Sequence, residues 1–199
     1  MVSRYETESC FFSEKRVQNG PERKNPRGVL TGNTQAYEAV IFENYRGIYS
    51  FLAYLTANTN LAEDLTQDTF AAAWAKIDDY KGTASIGTWL HKIAYYKFID
   101  AIRKDERYST ATEKLQREKA REAENKNPLN ELTTDEESRI LCEAIRELQR
   151  QEHIVIVLHY IQGLSYREMA EILDKPTGTV KWQTNRALKK LKTILTGRM

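Results

Sequence analysis

Basic side chains without acidic neighbours mark the C-terminal end of this chain. From Lys175 onward the sequence holds seven Lys or Arg residues and no Asp or Glu. Projected as a helix, the segment has an apolar seam and an opposite polar face. Arginine can form two hydrogen bonds to guanine, asparagine can do so to adenine, and lysines contact phosphates, so this face suits DNA. It comprises Trp182, Asn185, Arg186, Lys189 and Thr193, with Lys190 and Lys192 nearby. The helix dipole alone would explain the late lysines, but not Arg186.

A second basic stretch is interleaved with aromatic rings. Lys92, Tyr96 and Arg103 share one face of a predicted helix, and Trp89 lies at the edge of that face. Lysine and arginine follow phosphates, and aromatic rings stack on unpaired bases at roughly 1–3 kcal/mol each, so the face suits single-stranded nucleic acid. The alternative is that the rings, Trp89 above all, complete the hydrophobic core.

A third candidate surface combines acidic with small side chains. In the helix predicted over 61–77, Asp64, Gln67 and Asp68 share an arc with Ala71 and Ala75. A partner helix could approach the alanines closely while its basic groups pair with the acids. From these residues alone, a plain solvent-facing side of the helix is the simpler interpretation.

Helical periodicity predicts the elements that carry these faces. Apolar residues recur at three- and four-residue steps over 35–57, 61–77 and 88–104, which predicts three helices around one core. The pattern returns from residue 138. There Ser165 and Glu168 have the spacing of a capping box, which predicts a short helix, a turn and a longer basic helix. This order is a helix-turn-helix.

Two stretches lack the periodicity. Residues 105–137 contain ten acidic and six basic residues with few large apolar side chains, which predicts a linker; a surface helix packed on one domain is the alternative. Residues 1–32 hold three glycines and two prolines and predict a flexible extension. The expected organisation is an extension over 1–32, a helical domain over 33–105, a flexible linker over 106–137 and a helix-turn-helix domain over 138–199.

Composition excludes several classes of protein. The 199 residues carry a net charge of +2 and are 41% hydrophobic and 29% charged, which is typical of globular proteins. Two distant cysteines, Cys10 and Cys142, exclude a disulfide framework. No apolar run reaches the roughly 18 residues of a membrane helix, and no secretory signal is visible. Without a phosphate-binding glycine loop or metal-ligand spacing, we expect no enzyme, substrate, cofactor, metal site or membrane insertion, and a cytoplasmic location.

The motifs on the three faces resemble those of bacterial sigma factors. The run AEDLTQDTF over 62–70 resembles region 2.2, and TWLHKIA over 88–94, followed by DAIRK over 100–104, resembles regions 2.3 and 2.4. GLSYREMAEIL over 163–173 and GTVK over 178–181 resemble region 4.2. Two such domains without a region 3 between them resemble the extracytoplasmic-function (ECF) group of the sigma-70 family. The resemblance implies an all-α fold of two small helical domains.

The resemblance also implies partners. Core RNA polymerase would bind through the clamp helices of its largest subunit, contacting Asp64, Gln67, Asp68 and Ala71. The C-terminal domain would touch the polymerase flap. Family members are commonly held by an anti-sigma factor, which is therefore expected here too, although no residue identifies one. Promoter DNA is the remaining partner, and no cofactor is implied.

The contacts to promoter DNA fall on two sets of residues. The loop over 80–87 would hold a base flipped out of the minus-ten element. The melted minus-ten strand would contact Trp89, Lys92, Tyr96, Arg103 and Lys104. The duplex minus-thirty-five element would contact Thr179, Lys181, Trp182, Asn185, Arg186 and Lys189.

Two alternative functions and four departures from the family pattern bear on this interpretation. The main alternative is a helix-turn-helix regulator that binds duplex DNA as a dimer without polymerase, which needs neither the acidic nor the aromatic face. A protein-interaction module whose basic helix meets an acidic partner is the third possibility. Gln149 stands where the family usually has proline, Tyr96 where asparagine is frequent, Trp182 where a small polar residue is frequent and Thr184 where an aliphatic residue is frequent.

Overall fold

Helices make up all the regular structure in the part of the chain that the structure describes. The computed structural model describes residues 34–108 and 136–197, and no strand occurs within them. The N-terminal unit (34–108) contains α1 (Thr34–Thr56), α2 (Thr59–Ala75), a 3-10 turn (Ile77–Asp79) and α3 (Ile86–Tyr108). The C-terminal unit (136–197) contains α4 (Glu136–Arg146), α5 (Arg150–Ile156), a π-helical turn (Val157–Ile161), α6 (Tyr166–Leu173) and α7 (Thr177–Thr196). The predicted all-α class is confirmed.

Side-chain caps determine where α2 and α3 begin. The Oδ1 atom of Asn58 accepts a hydrogen bond from the backbone N–H of Leu61 at 3.0 Å, which caps α2. The Oγ atom of Ser85 accepts from the N–H of Thr88 at 3.0 Å. Because of this second contact, α3 begins at Ile86, two residues before the predicted start. The predicted loop between the two helices opens with the 3-10 turn.

The core of the N-terminal unit joins all three helices. Ile48, Phe51, Leu52 and Leu90 are fully buried in it. At the outer end of the core, the hydroxyl of Tyr37 donates a hydrogen bond to the backbone oxygen of Phe70 at 2.5 Å, linking α1 to α2. The outward faces of α2 and α3 are therefore held by a packed scaffold.

The C-terminal unit contains the predicted helix-turn-helix. The Oγ atom of Ser165 accepts from the N–H of Glu168 at 3.3 Å, and the Glu168 carboxylate accepts from the N–H of Ser165 at 2.9 Å. This reciprocal pair is the predicted capping box. Asp174 ends α6 in the left-handed conformation, with φ of 50°, and so begins the turn into α7.

Two residues that depart from the family pattern, Gln149 and Thr184, each form a hydrogen bond with a residue nearby in the sequence. At the start of α5, the backbone N–H of Gln149 donates to the Glu152 carboxylate at 3.1 Å. This interaction is open to glutamine but not to proline, which lacks the N–H. On the buried side of α7, the hydroxyl of Thr184 donates to the backbone oxygen of Val180 at 2.9 Å. Thr184 therefore leaves no unsatisfied hydroxyl in the core.

The N- and C-terminal units pack against each other. The buried residues of both belong to one continuous hydrophobic core, with α3 lying against α6 and α1 against the π-helical turn. At the second contact, the side-chain amide of Gln162 lies 3.0 Å from the Oγ atom of Ser50. Farther along the seam, Arg150 pairs with Glu106 at 2.7 Å. Any surface next to this seam is therefore shaped by residues from both halves of the chain.

Parts of two predicted segments lie outside the described residues. The predicted extension over 1–32, with Cys10, is one of them, and residues 109–135 of the predicted linker are the other. The ends of the predicted linker are helical, because α3 continues to Tyr108 and α4 begins at Glu136. None of the described helices is long and apolar enough to cross a membrane.

Candidate nucleic-acid interfaces

The outer face of α7 is fully available to a ligand. All six residues predicted to contact the minus-thirty-five element are exposed: Thr179, Lys181, Trp182, Asn185, Arg186 and Lys189. Val180, Thr184, Ala187 and Leu191 form the opposite, buried side, which anchors the helix to the rest of the unit. The structure thus brings the predicted residues together on one face of one helix.

Trp182 and Arg186 form a pair on this face. The indole of Trp182 is 60% exposed, although an isolated tryptophan in solvent is unfavourable. The Cζ atom of Arg186, one turn later, lies 5.5 Å from the centre of the Trp182 ring, a cation–π contact. Trp182 therefore has a definite neighbour on the surface, and its ring supports the guanidinium group.

Lys190 differs from the other lysines of α7. Its Nζ atom donates a hydrogen bond to the Glu152 carboxylate at 2.9 Å, and the Nε atom of Arg186 lies 3.8 Å from the other oxygen of the same group. The sequence pattern grouped Lys190 with phosphate-binding lysines, and the structure instead pairs it with an internal acid. Lys189 is exposed and points away from the buried side.

The predicted single-strand face of α3 borders a groove of about 290 Å³. Trp89, Lys92 and Tyr96 line the groove, together with Lys97 of the same helix and Lys76 beyond the end of α2. Asp79 and Asp100 also line the groove, so three lysines, two acids and two aromatic rings border the same space. The lysines and the rings are the groups that could accept an unpaired base next to its phosphates. Arg103 and Lys104 are exposed farther along α3 and do not line it.

Trp89 lines the groove and also contributes to the hydrophobic core, the two roles that the sequence left open. It packs partly against the hydrophobic core, and its ring centre lies 5.1 Å from that of Tyr80. Tyr80 is buried and its hydroxyl donates to the backbone oxygen of Ala84 at 2.7 Å, which shapes the loop predicted to hold a flipped base. Gly82 gives this loop its turn through a φ of 68°.

Asp174, from the other half of the chain, pairs with two of the residues that line the groove, Lys92 and Tyr96. One carboxylate oxygen accepts from the Nζ atom of Lys92 at 2.5 Å, and the other accepts from the hydroxyl of Tyr96. These two bonds, that of Lys92 foremost, hold the pKa of the Asp174 carboxyl below its ordinary value. The same carboxylate raises the pKa of Tyr96 to about 12, since it favours the protonated phenol.

Two further acids, Glu168 and Glu171, precede Asp174 on α6. The hydroxyl of Thr88 donates to Glu168 at 3.3 Å. Burial raises the pKa of Tyr80, and the nearby charge of Glu171 adds to this effect. Spaced at three-residue steps, Glu168, Glu171 and Asp174 form an acidic edge that faces α3. Sequence reasoning missed this edge, because the local pattern shows only the capping role of Glu168.

The acidic face of α2 is exposed as predicted. Asp64, Gln67, Asp68 and Ala71 all lie on its outer side, away from the core. Asp68 lies 3.7 Å from the Nζ atom of Lys97 on α3, a pair that is open to solvent and therefore weak. Trp74, one turn after Ala71, extends the same side with an indole that is 40% exposed. The face thus combines exposed acids with the small side chain of Ala71.

Comparison with known proteins places both units in one family. The sigma-70 region 2 profile matches residues 41–108, and the sigma-70 region 4 profile matches residues 138–191. The RNA polymerase sigma factor YlaC of Bacillus subtilis is 34% identical over 76% of this chain and 87% of its own length. The chain belongs to the ECF group of the sigma-70 family.

Further relatives agree with this assignment. The ECF RNA polymerase sigma factor SigW of Bacillus subtilis is 31% identical to this sigma factor over 85% of the chain and 94% of its own length. Among solved structures, the sigma factor RpoE in complex with the anti-sigma factor NepR, from Bartonella quintana, has a TM-score of 0.63. That structure is 22% identical and covers 81% of this chain and 98% of its own, so it supports the fold.

Proposed function

We propose that this sigma factor binds core RNA polymerase, recognises the minus-thirty-five and minus-ten elements of promoters, and helps to melt DNA for initiation. The observation that carries the proposal is the presence of regions 2 and 4 in one chain, in that order. A helix-turn-helix regulator that acts alone needs only the second region, so that alternative is not favoured. The chemistry of initiation belongs to the polymerase, and the chain itself needs no cofactor or substrate.

The polymerase contact is assigned to the exposed face of α2. Asp64, Gln67, Asp68 and Ala71 would meet the clamp helices of the largest subunit, and the C-terminal unit would meet the flap. Support comes from the exposure of all four residues and from the family's region 2. Because the partner is a bacterial polymerase, the site of action is the cytoplasm.

The minus-ten contact is assigned to α3 and the loop before it. Trp89, Lys92, Tyr96, Arg103 and Lys104 would follow the melted strand, with the loop over 80–87 holding a flipped base. The groove beside Trp89, with three lysines among its lining residues, supports this assignment. Unpaired bases are captured by binding energy, so melting requires no nucleotide hydrolysis. Lys92 and Tyr96 reach DNA only after Asp174 has moved away.

The minus-thirty-five contact is assigned to the outer face of α7. Arg186 and Asn185 are the residues suited to base edges, and Lys181 and Lys189 suit phosphates. Thr179 and Trp182 complete the face. With α7 in the major groove, the rest of the helix-turn-helix would cross the backbone.

Two units on one chain make the two promoter contacts interdependent. We keep the division into 33–105 and 138–199 with a connection over 106–137 and an extension over 1–32. If the packed units separate to reach the two elements, the connection keeps the effective concentration of the second unit high after the first has bound, so that two modest contacts act as one strong contact. The spacing between the promoter elements then becomes a geometric requirement.

An anti-sigma factor is the remaining proposed partner. The RpoE structure from Bartonella quintana contains the anti-sigma factor NepR, and its fold is shared by this chain. We assign no residue of this chain to such a contact. Co-purification of a small inhibitory protein with the full-length chain, and its displacement by core polymerase, would support the assignment.

Transcription in vitro tests the proposal directly. Purified bacterial core RNA polymerase and a promoter library should give start-site-specific transcripts only when this sigma factor is added. A regulator of the alternative class would shift duplex DNA without polymerase and give no such transcripts. If the folded, inhibitor-free protein directs no initiation from any template, the proposal is wrong.

A further inference from the structure

Glu152 is a buried acid directly beneath the DNA-facing side of α7. It lies in the first turn of α5, and only 7% of its surface is exposed. Its carboxylate accepts from the N–H of Gln149 at 3.1 Å and from the Nζ atom of Lys190 at 2.9 Å, and lies 3.8 Å from the Nε atom of Arg186. A buried carboxylate requires such partners, and two of the three are cations of α7.

The contacts keep this carboxylate ionised. Burial alone would raise the pKa of Glu152, but the hydrogen bonds from Lys190 and from the Gln149 N–H outweigh burial and hold the pKa below its ordinary value. A full negative charge therefore lies under α7 at neutral pH. An amide side chain would be sufficient to accept the Gln149 N–H, so the cap does not explain why an acid is present.

Glu152 and Trp182 contact the Arg186 side chain from two sides and limit its conformations. Its Nε atom faces Glu152 on the inside, and the ring of Trp182 lies against its guanidinium group at 5.5 Å. The side chain nevertheless keeps 60% of its surface exposed. The terminal amino groups lie beyond Nε on this largely exposed side chain, where a base could reach them. A free arginine would have to lose its rotamer freedom when it binds a base.

We infer that Glu152 is a positioning residue for promoter recognition: it orients Arg186 for reading a base pair and withdraws Lys190 from the phosphates. The inference rests on the proposed function, in which Arg186 contacts the minus-thirty-five element. Glu152 itself touches no DNA. Its effect on recognition passes through Arg186, and it should vanish when Arg186 is absent.

The test uses holoenzyme assembled from the full chain and core polymerase. Its template is a promoter library with a randomised upstream block and a constant downstream sequence. Arg186→Ala first identifies the base pair that Arg186 reads, as the position at which discrimination is lost. Glu152→Gln, which retains an acceptor for the Gln149 N–H, should lower discrimination at that same position by roughly five- to tenfold, the lower part of the range for a two-pronged contact. Other positions should be unchanged.

The double variant separates positioning from general destabilisation. In an Arg186→Ala background, Glu152→Gln should cause no further loss of discrimination. A loss that is uniform over all positions, or that persists without Arg186, would show a structural role only and overturn the inference. Glu152→Asp withdraws the carboxylate by one methylene and should cause the same selective loss, so it serves if Glu152→Gln does not fold. Glu63→Gln, an exposed acid on α2, is the matched control.

The inference and the proposed function fail in different ways. If Arg186→Ala alters no position while holoenzyme still initiates, the assignment of Arg186 to base reading is wrong. If Arg186→Ala alters one position and Glu152→Gln leaves it intact, the inference about Glu152 is wrong and the recognition face stands. If wild-type protein initiates from no template, the sigma-factor proposal itself fails.

Discussion

Lys92 on α3 and Asp174 at the end of α6 are joined by a 2.5 Å ion pair between residues that are 82 positions apart in sequence. Lys92 is one of the residues assigned to the melted minus-ten strand, and Asp174 begins the turn of the helix-turn-helix. A carboxylate from one DNA-binding unit therefore occupies the place that a phosphate would take on the other. If the melted strand binds as proposed, DNA and Asp174 would compete for the same cation and the same phenol.

Asp174→Asn should strengthen binding of single-stranded DNA by the free chain. Asparagine tolerates the left-handed conformation at this position, so the turn is kept while the charge is lost. Partly exposed ion pairs contribute about 0.2–1 kcal/mol, which corresponds to a gain of about 1.5- to 5-fold in affinity. Fluorescence anisotropy with a mixed-sequence single-stranded 20-mer measures the change. Glu171→Gln removes one charge from the same edge without that ion pair, and equal gains for the two variants would contradict a specific competition.

Asp64→Lys combined with Asp68→Lys should abolish association with core polymerase and leave the fold intact. Both side chains are exposed. Because each substitution changes the charge by +2, the double variant makes the face assigned to the clamp helices more positive by four charges. Co-elution with core polymerase in gel filtration measures binding, and thermal unfolding checks the fold. Glu63→Lys on the same helix makes a comparable single reversal outside the assigned residues and should still co-elute. Normal co-elution of the double variant is incompatible with the assigned interface.

Lys189→Ala and Lys190→Ala should differ in their salt dependence. Lys189 is exposed, so its loss should lower the slope of log affinity against log salt by about 0.9, the value for one phosphate contact. Lys190 is paired with Glu152 at 2.9 Å, and its removal should leave the slope nearly unchanged. Filter binding of holoenzyme to a duplex promoter over a salt series measures both. Equal slopes for the two variants would show that Lys190 reaches phosphate after all.

Acidification should destabilise the C-terminal unit through His153. Burial, reinforced by Arg146, lowers the pKa of His153 from 6.5 to about 4. In the unfolded chain His153 is protonated below about pH 6.5, whereas in the folded chain it stays neutral down to about pH 4. The unfolded state therefore binds more protons between these values, and the free energy of unfolding falls as the pH decreases through this window. Between pH 7 and 5 the loss assignable to His153 is on the order of 1–2 kcal/mol.

Denaturant unfolding at the two pH values measures this effect. His153→Gln should reduce the difference in unfolding free energy between pH 7 and pH 5, since the titrating group is gone. His91 is also buried with a lowered pKa, and it should leave a residual dependence in that variant. An unchanged pH dependence in His153→Gln would assign the titration to other groups.

Local sequence signals were sufficient to predict the helices and the residues that lie on their outer faces. Ser165 and Glu168 are three positions apart, and the bonds between them depend only on the helix that they begin. The seam of Val180, Thr184, Ala187 and Leu191 follows from helical spacing, and it leaves Arg186 and Asn185 outside. The faces predicted for polymerase and duplex are exposed for this reason, whereas Trp89 and Lys92 of the face predicted for the melted strand are only half exposed.

The partners of those faces depend on how the helices pack. Asp174 reaches Lys92 and Tyr96, and Glu152 reaches Lys190 and Arg186, across separations in sequence that carry no periodic signal. Burial makes the Glu152 contacts consequential, because a carboxylate removed from water must be matched by a nearby cation, whereas the Asp174 pair is open to solvent. The sequence by itself determined which residues face outward on each helix, since that depends on a period of 3.6 residues. Only the tertiary structure decided which of them are already engaged, since that depends on which helices lie side by side.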